Sequence, residues 1–185
     1  MTSPSGGKCE TGDWIHFYFR QPSPRWRRAR ENTRKEGMAT IAIASDHAGV
    51  ALKAELVAEL AKRGQPTLDL GPSDTSSVDY PDYATKVTAA VTDKRASLGI
   101  LICGTGTGMS ITANKVHGIR AALSHSEFEA RMARQHNDAN VLCLGSRVTG
   151  GSLAIEIMKA FLEASFEGGR HAKRVEKITQ VEAQR

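Results

Sequence analysis

The sequence predicts an α/β fold: a three-layer, Rossmann-like open sheet of about five parallel strands with helices on both faces. Three observations carry that expectation. From residue 38 onward, short β-rich runs alternate with amphipathic stretches of helical length. The run "LGILIC" (98–103) is apolar throughout, as a central parallel strand buried on both faces must be. The polar and reactive residues gather around the ends of these runs, and open sheets bind ligands beyond the carboxyl ends of their strands.

The elements follow in order. "TIAIAS" (40–45) is a short β-rich run that stops at polar residues, and "VALKAELVAELAKRG" (50–64) follows with Leu52, Leu56 and Leu60 at i, i+4 spacing. Gly64 supplies the helix stop. "TLDL" (67–70) is the second strand, "YATKVTAAVTDK" (83–94) the second helix and "LGILIC" the third strand. A glycine loop leads into a helix at "SITANKV" (110–116), and "GIRAAL" (118–123) is the fourth strand. "SEFEARMARQH" (126–136) is helical, "NVLCLG" (140–145) is the fifth strand, and two helices, 151–166 and 170–184, close the chain. Strands alternating with helices in this way are βαβ units with right-handed crossovers.

Charge and composition divide the chain. Residues 1–37 carry eight Lys/Arg against four Asp/Glu, whereas the remainder is close to neutral at net +1. With prolines, clustered arginines and no apolar periodicity, 1–37 reads as a disordered basic extension, and 38–185 as a single domain. The extension suits a nucleic-acid tail or transit segment less well than a non-essential leader, with Met38 an alternative start. No apolar run approaches the ~20 residues of a membrane span. Three scattered cysteines, Cys9, Cys103 and Cys143, form no CxxC pair and indicate a reducing, cytoplasmic setting.

Among the strand ends, "CGTGTG" (103–108) admits several chemistries. A dinucleotide site wants G-x-G-x-x-G and an acidic residue ending the next strand, but the spacing here is G-x-G-x-G and Ser124 stands at that end. A P-loop wants Gly-Lys-Ser/Thr, and Gly108 is followed by Met109. A cysteine phosphatase would need arginine where Met109 stands. What remains is Cys103 beside a nest of backbone N–H groups that stabilises negative charge and favours a thiolate base. The alternative use of Cys103 is as a small buried apolar residue, which is also the reading of Cys143. Arg170 and Arg174 lie one helical turn apart and suit a phosphate monoester, or else form a solvated basic face. His136 in "RQHNDAN" is a proton exchanger near neutral pH, or a helix-capping histidine.

Taken together, "SDHAG", "DYPDYA", "ILICGTGTGMSI", "ANK", "GIRAA", "RQHNDANVLCLGSR" and "EGGRH..RV" resemble, in order and spacing, the ribose-5-phosphate isomerase B family and its galactose-6-phosphate isomerase relatives. The resemblance runs from Met38 to the C-terminus. It implies an aldose–ketose isomerase that interconverts ribose 5-phosphate and ribulose 5-phosphate through an enediolate, with no metal or organic cofactor. A six-carbon substrate, allose 6-phosphate or galactose 6-phosphate, is the alternative within that group.

The resemblance also implies roles. Cys103 is the proton-shuttling base, the backbone of Gly104, Thr105, Gly106, Thr107 and Gly108 holds the oxyanion, and the Thr105 hydroxyl assists. His136 is the ring-opening acid, while Asp46 and Tyr80 position or deprotonate sugar hydroxyls. His47, Arg170 and Arg174 bind phosphate, and Asn137 and Arg147 complete the pocket. Some family members use a glutamate base, but residue 107 here is threonine and the cysteine is present. Such sites lie at a subunit interface, which implies a homodimer or tetramer acting on a phosphorylated sugar, without nucleic acid or membrane as partner. A non-catalytic sugar-phosphate or nucleic-acid binding protein, with the basic arm supplying affinity for the latter, is the competing reading.

Overall fold

The computed structural model describes residues 39–184, and the basic segment 1–37, with the question of Met38 as a start, lies outside them. Five strands form one parallel sheet: β1 (Ile41–Ser45), β2 (Thr67–Asp69), β3 (Leu98–Cys103), β4 (Ala121–Leu123) and β5 (Val141–Gly145). Their spatial order is β2-β1-β3-β5-β4, with β3 paired to β1 over Leu98–Ile102 and to β5 over Gly99–Cys103. The helices are α1 (Val50–Lys62), α2 (Tyr80–Thr92), α3 (Thr107–Ala113), α4 (Glu127–Asn137), α5 (Gly151–Glu163) and α6 (Arg170–Glu182).

Strand alternation sorts the core into two layers. Ile41, Ile43, Ile100, Ile102, Leu142 and Leu144 point to one face, where they meet Leu52, Leu56 and Leu60 of α1 and Ile157 and Phe161 of α5. Ala42, Ala44, Leu101, Cys103, Val141 and Cys143 point to the other, under Ala84 and Val87 of α2 and Met109 of α3. Small residues on that second face let α2 approach closely: a methyl group on Gly99 would stand 2.7 Å from Val87 Cγ1. The expected three-layer arrangement is the one observed.

Element boundaries move by a few residues. α2 starts at Tyr80 rather than 83, because Pro81 sits in its first turn, where a missing N–H costs nothing. α3 starts at Thr107, directly off the glycine loop. β4 begins at Ala121 rather than 118, since Gly118 takes a positive φ of 78° and the Arg120 amide donates to the Asn140 side chain. α5 ends at Glu163, where Ala164 turns extended.

The topology fixes where a ligand crevice opens. From β1 the chain moves outward to β2, and from β3 it moves the other way to β5 and β4, so the order reverses between β1 and β3. The carboxyl ends of those two strands flank the crevice.

Candidate active site

Cys103 is the last residue of β3, 5% exposed, at the lip of that crevice. The Gly106 amide donates to its Sγ at 3.1 Å. Gly106 adopts φ 78°, and a Cβ there would stand 2.9 Å from the Leu144 carbonyl carbon, so the loop folds back onto β5 only with glycine at this position. The Ser146 and Arg147 amides donate to the Cys103 and Gly104 carbonyls at 2.9 Å each, and Ser146 Oγ donates to the Ala48 carbonyl at 2.9 Å. The turns after β1, β3 and β5 are thereby tied into one floor.

Other expected residues stand on this floor. Asp46 follows β1 and is nearly buried; its Oδ1 accepts from the Ala48 and Gly49 amides at 2.9 and 3.1 Å. One carboxylate oxygen is therefore spent on holding the turn, a structural duty that accompanies any contact with a sugar. His47 places Nδ1 3.3 Å from both the amide nitrogen and the carbonyl oxygen of Val78. Tyr80 lies over Gly108, whose Cβ, if present, would be 2.8 Å from the ring. The Arg147 side chain passes over Gly104, with Nε 3.5 Å from where a Cβ would stand. Thr105 Oγ1 accepts a long bond from the Thr107 amide at 3.4 Å.

Cys143 is a core residue. It is fully enclosed on the α2/α3 face, and burial, with Cys103 nearby, pushes its thiol well above the ordinary cysteine range.

The remaining expected residues sit at the opposite end of the sheet. His136 and Asn137 end α4, just before the turn into β5, whereas Cys103 pairs with Gly145 at the far end of that strand. With ~3.3 Å of rise per residue, β5 alone separates the two ends by roughly 13 Å. Arg120 and Arg134 each bond the Asp138 carboxylate at 2.8 Å, and the Arg120 Nε donates to the Asn137 carbonyl at 3.0 Å, which clamps this corner. The chain leaving α5 passes the same place, with the Glu167 amide donating to the Gln135 carbonyl at 3.0 Å. Arg170 and Arg174 then rise from the first turns of α6, exposed and joined by Lys173 and Lys177 in a basic patch.

Two further residues belong to this corner and were not singled out by the sequence. The rings of His136 and His171 stack with centroids 4.1 Å apart and planes 4° from parallel. Glu167 Oε2 lies 3.8 Å from His136 Nε2 and 3.7 Å from His171 Nε2. These three side chains offer nitrogen and oxygen ligands within 4.8 Å of one another. An imidazole lone pair lies in its ring plane, however, and parallel planes share no point where one ion could meet both. The motif "EGGRH" held both residues in view, but helical spacing directs attention to the arginines, and ring stacking has no sequence signature.

A sequence profile of the ribose/galactose isomerase family matches residues 41–178. The chain belongs to that family. It is 50% identical over 148 residues to ribose-5-phosphate isomerase B of Escherichia coli, covering 80% of this chain and 99% of that relative. A ribose-5-phosphate isomerase B structure from Clostridium thermocellum superposes with a TM-score of 0.77 at 52% identity, covering 78% of this chain and 98% of that one. The Mycoplasma genitalium ribose-5-phosphate isomerase B structure, with bound ribulose 5-phosphate, gives 0.75 at 47% identity over 79% and 97% of the two chains. For a member of this family, the thiol and the exchangeable histidine sit on two separated surfaces of one chain.

Proposed function

We propose that this protein interconverts ribose 5-phosphate and ribulose 5-phosphate, with Cys103 as the proton-shuttling base. The observation that carries the reading is the Cys103 sulfur at the carboxyl end of β3, met by the Gly106 N–H, in a chain half identical to ribose-5-phosphate isomerase B.

The steps follow from the groups present. His136 donates a proton to the ring oxygen as the anomeric O–H passes its own to the Asp46 carboxylate, which opens the sugar to its aldehyde. The Cys103 thiolate then takes the proton from carbon 2, and the electron pair moves into an enediolate. The Gly104–Gly108 backbone supplies N–H donors for the oxygen that gains charge, with Thr105 beside it. Asp46 and Tyr80 hold the sugar hydroxyls. The thiol returns its proton to carbon 1 as the proton on oxygen 2 passes to oxygen 1, completing the ketose. His47, Arg170 and Arg174 grip the phosphate, and Asn137 and Arg147 line the space between.

This set closes around one substrate only if two copies supply it. The Cys103 floor of one chain must face the His136 and Arg170 corner of another, which a two-fold homodimer, or a tetramer built from such dimers, accomplishes twice. Ile111, Phe128 and Val148, at 57%, 68% and 56% exposure, lie on elements leaving the carboxyl ends of β3, β4 and β5. They give that end an apolar rim for a second copy to cover. A free thiol base suits a reducing cytoplasm. Among the described residues, no helix is long and apolar enough to cross a membrane.

Turnover of ribose 5-phosphate, compared as kcat/KM with allose 6-phosphate and galactose 6-phosphate, tests the substrate. The pentose is expected to be preferred; a higher value on either hexose phosphate would replace this reading with the six-carbon one. Mixing Cys103→Ala and His136→Ala chains tests the shared site. Random reassociation should restore about a quarter of wild-type sites, whereas a site built within one chain would restore none.

A further inference from the structure

His171 is the buried residue of an otherwise exposed or half-exposed helix. It is 4% exposed, and its Nδ1 has no hydrogen-bond partner. A polar ring is placed this way at a cost, and an apolar residue would fill the space without it. What the imidazole does instead is offer a flat face to His136 at 4.1 Å and 4°. Its own orientation is fixed from the side, since the Arg170 Nε donates to its Nε2 at 3.3 Å. That bond makes Nε2 an acceptor and describes a neutral ring.

Its surroundings lower its hold on a second proton. Burial comes first in pulling His171 below the ordinary histidine range, followed by the His136 ring, Arg170 and Arg174; Glu167 acts in the opposite direction and is outweighed. These are the charged groups facing the pair from α4, from the segment before α6 and from α6 itself. An uncharged platform lets the stacked partner gain and lose a proton without like-charge repulsion from below.

We propose that His171 is a positioning residue for His136: a buried, neutral imidazole face on which the proton-donating ring rests, fixing the direction in which its nitrogen points at the substrate. The inference rests on the assignment of His136 as the ring-opening acid. His171 itself is not a proton donor and is not assigned a contact with phosphate.

The test uses the full-length chain with His171→Phe, which keeps a flat face, and His171→Ala, which removes it. Stacking shields the His136 Hε1 proton, so its resonance is expected to move downfield in the alanine variant and to stay upfield in the phenylalanine variant. In steady-state assays on ribose 5-phosphate, His171→Ala should lower kcat roughly ten- to hundredfold while leaving KM within about threefold, and His171→Phe should recover most of that loss. A rise in KM with kcat preserved would overturn the proposal, because it would make His171 a phosphate contact. An unmoved Hε1 resonance, or equal loss in both variants, would overturn it too. If the alanine variant fails to fold, the phenylalanine variant decides by the same two readouts. Absence of wild-type turnover on any sugar phosphate would defeat the isomerase assignment instead, with the resonance still reporting the stack.

Discussion

The Gly106 amide points at the Cys103 sulfur across 3.1 Å, from a turn whose φ of 78° few residues other than glycine tolerate. Thiol and donor are thus set by one backbone conformation. Replacing Cys103 with serine should leave the circular dichroism spectrum and Tm close to wild type while kcat falls by about a hundredfold or more, since serine is a far weaker base near neutral pH.

Gly106→Ala should damage both folding and rate. A methyl group there runs into Leu123 and stands 2.9 Å from the Leu144 carbonyl carbon, so the loop must lift off β5. Backbone strain alone is worth ~1–3 kcal/mol, which thermal unfolding would record as a Tm lower by several degrees. A Tm unchanged within a degree would show that the loop is held less tightly than its geometry implies.

Arg170 and Arg174 stand exposed one turn apart on α6, with no ionic partner among the described residues. Changing both to methionine should raise KM for ribose 5-phosphate by about a hundredfold, as expected for losing two charge-assisted phosphate contacts. Tm should hardly move. If KM is unaffected, the pair is a solvated basic face and the phosphate is held elsewhere.

His171 ties stability to pH with a definite sign. Its folded-state affinity for protons lies below the ordinary value of 6.5, so the folded state binds fewer protons than the unfolded chain. The full contribution is present above pH 6.5 and is lost as pH falls from there through the lower folded value. Chemical denaturation of wild type and His171→Phe between pH 5 and 8 should show wild-type stability dropping more steeply on the acid side. Parallel curves would remove this group from the pH dependence.

Phe161 is fully enclosed between α5 and the sheet. Phe161→Ala should cost ~3–5 kcal/mol, read from the shift in denaturant midpoint at constant m-value.

Much of this arrangement was legible in the residues. The uninterrupted apolar run 98–103 announced a buried strand, and the leucines at 52, 56 and 60 announced the face of α1 that packs on it. Cys103 declared itself by standing between such a strand and three glycines. What periodicity could not convey was contact between elements distant in sequence. Residues 118–120 have strand-like composition, yet a side-chain amide, Asn140, takes the bond a neighbouring strand would have made. Glu167 and His171 are meaningful only against His136, some thirty residues away, and their geometry emerges from how α6 lies on α4. The separation of thiol and histidine follows from strand direction, and it emerges only when β3 and β5 are placed parallel.

The two ends of the sheet are not equally guarded. Ile100, Leu101 and Ile102 lead to the thiol on a strand paired along both edges and shut away from water, so its amides should exchange with solvent only when the whole protein opens. The corner that carries Arg170 and His171 depends on a mostly exposed helix held by the buried His171 ring in its first turn and by the Gly118 amide donating to Glu182 at 2.9 Å in its last. That helix should fray first. On warming, activity should therefore disappear several degrees before the sheet melts, and the working temperature of the protein would be set by α6, with β3 still intact beneath.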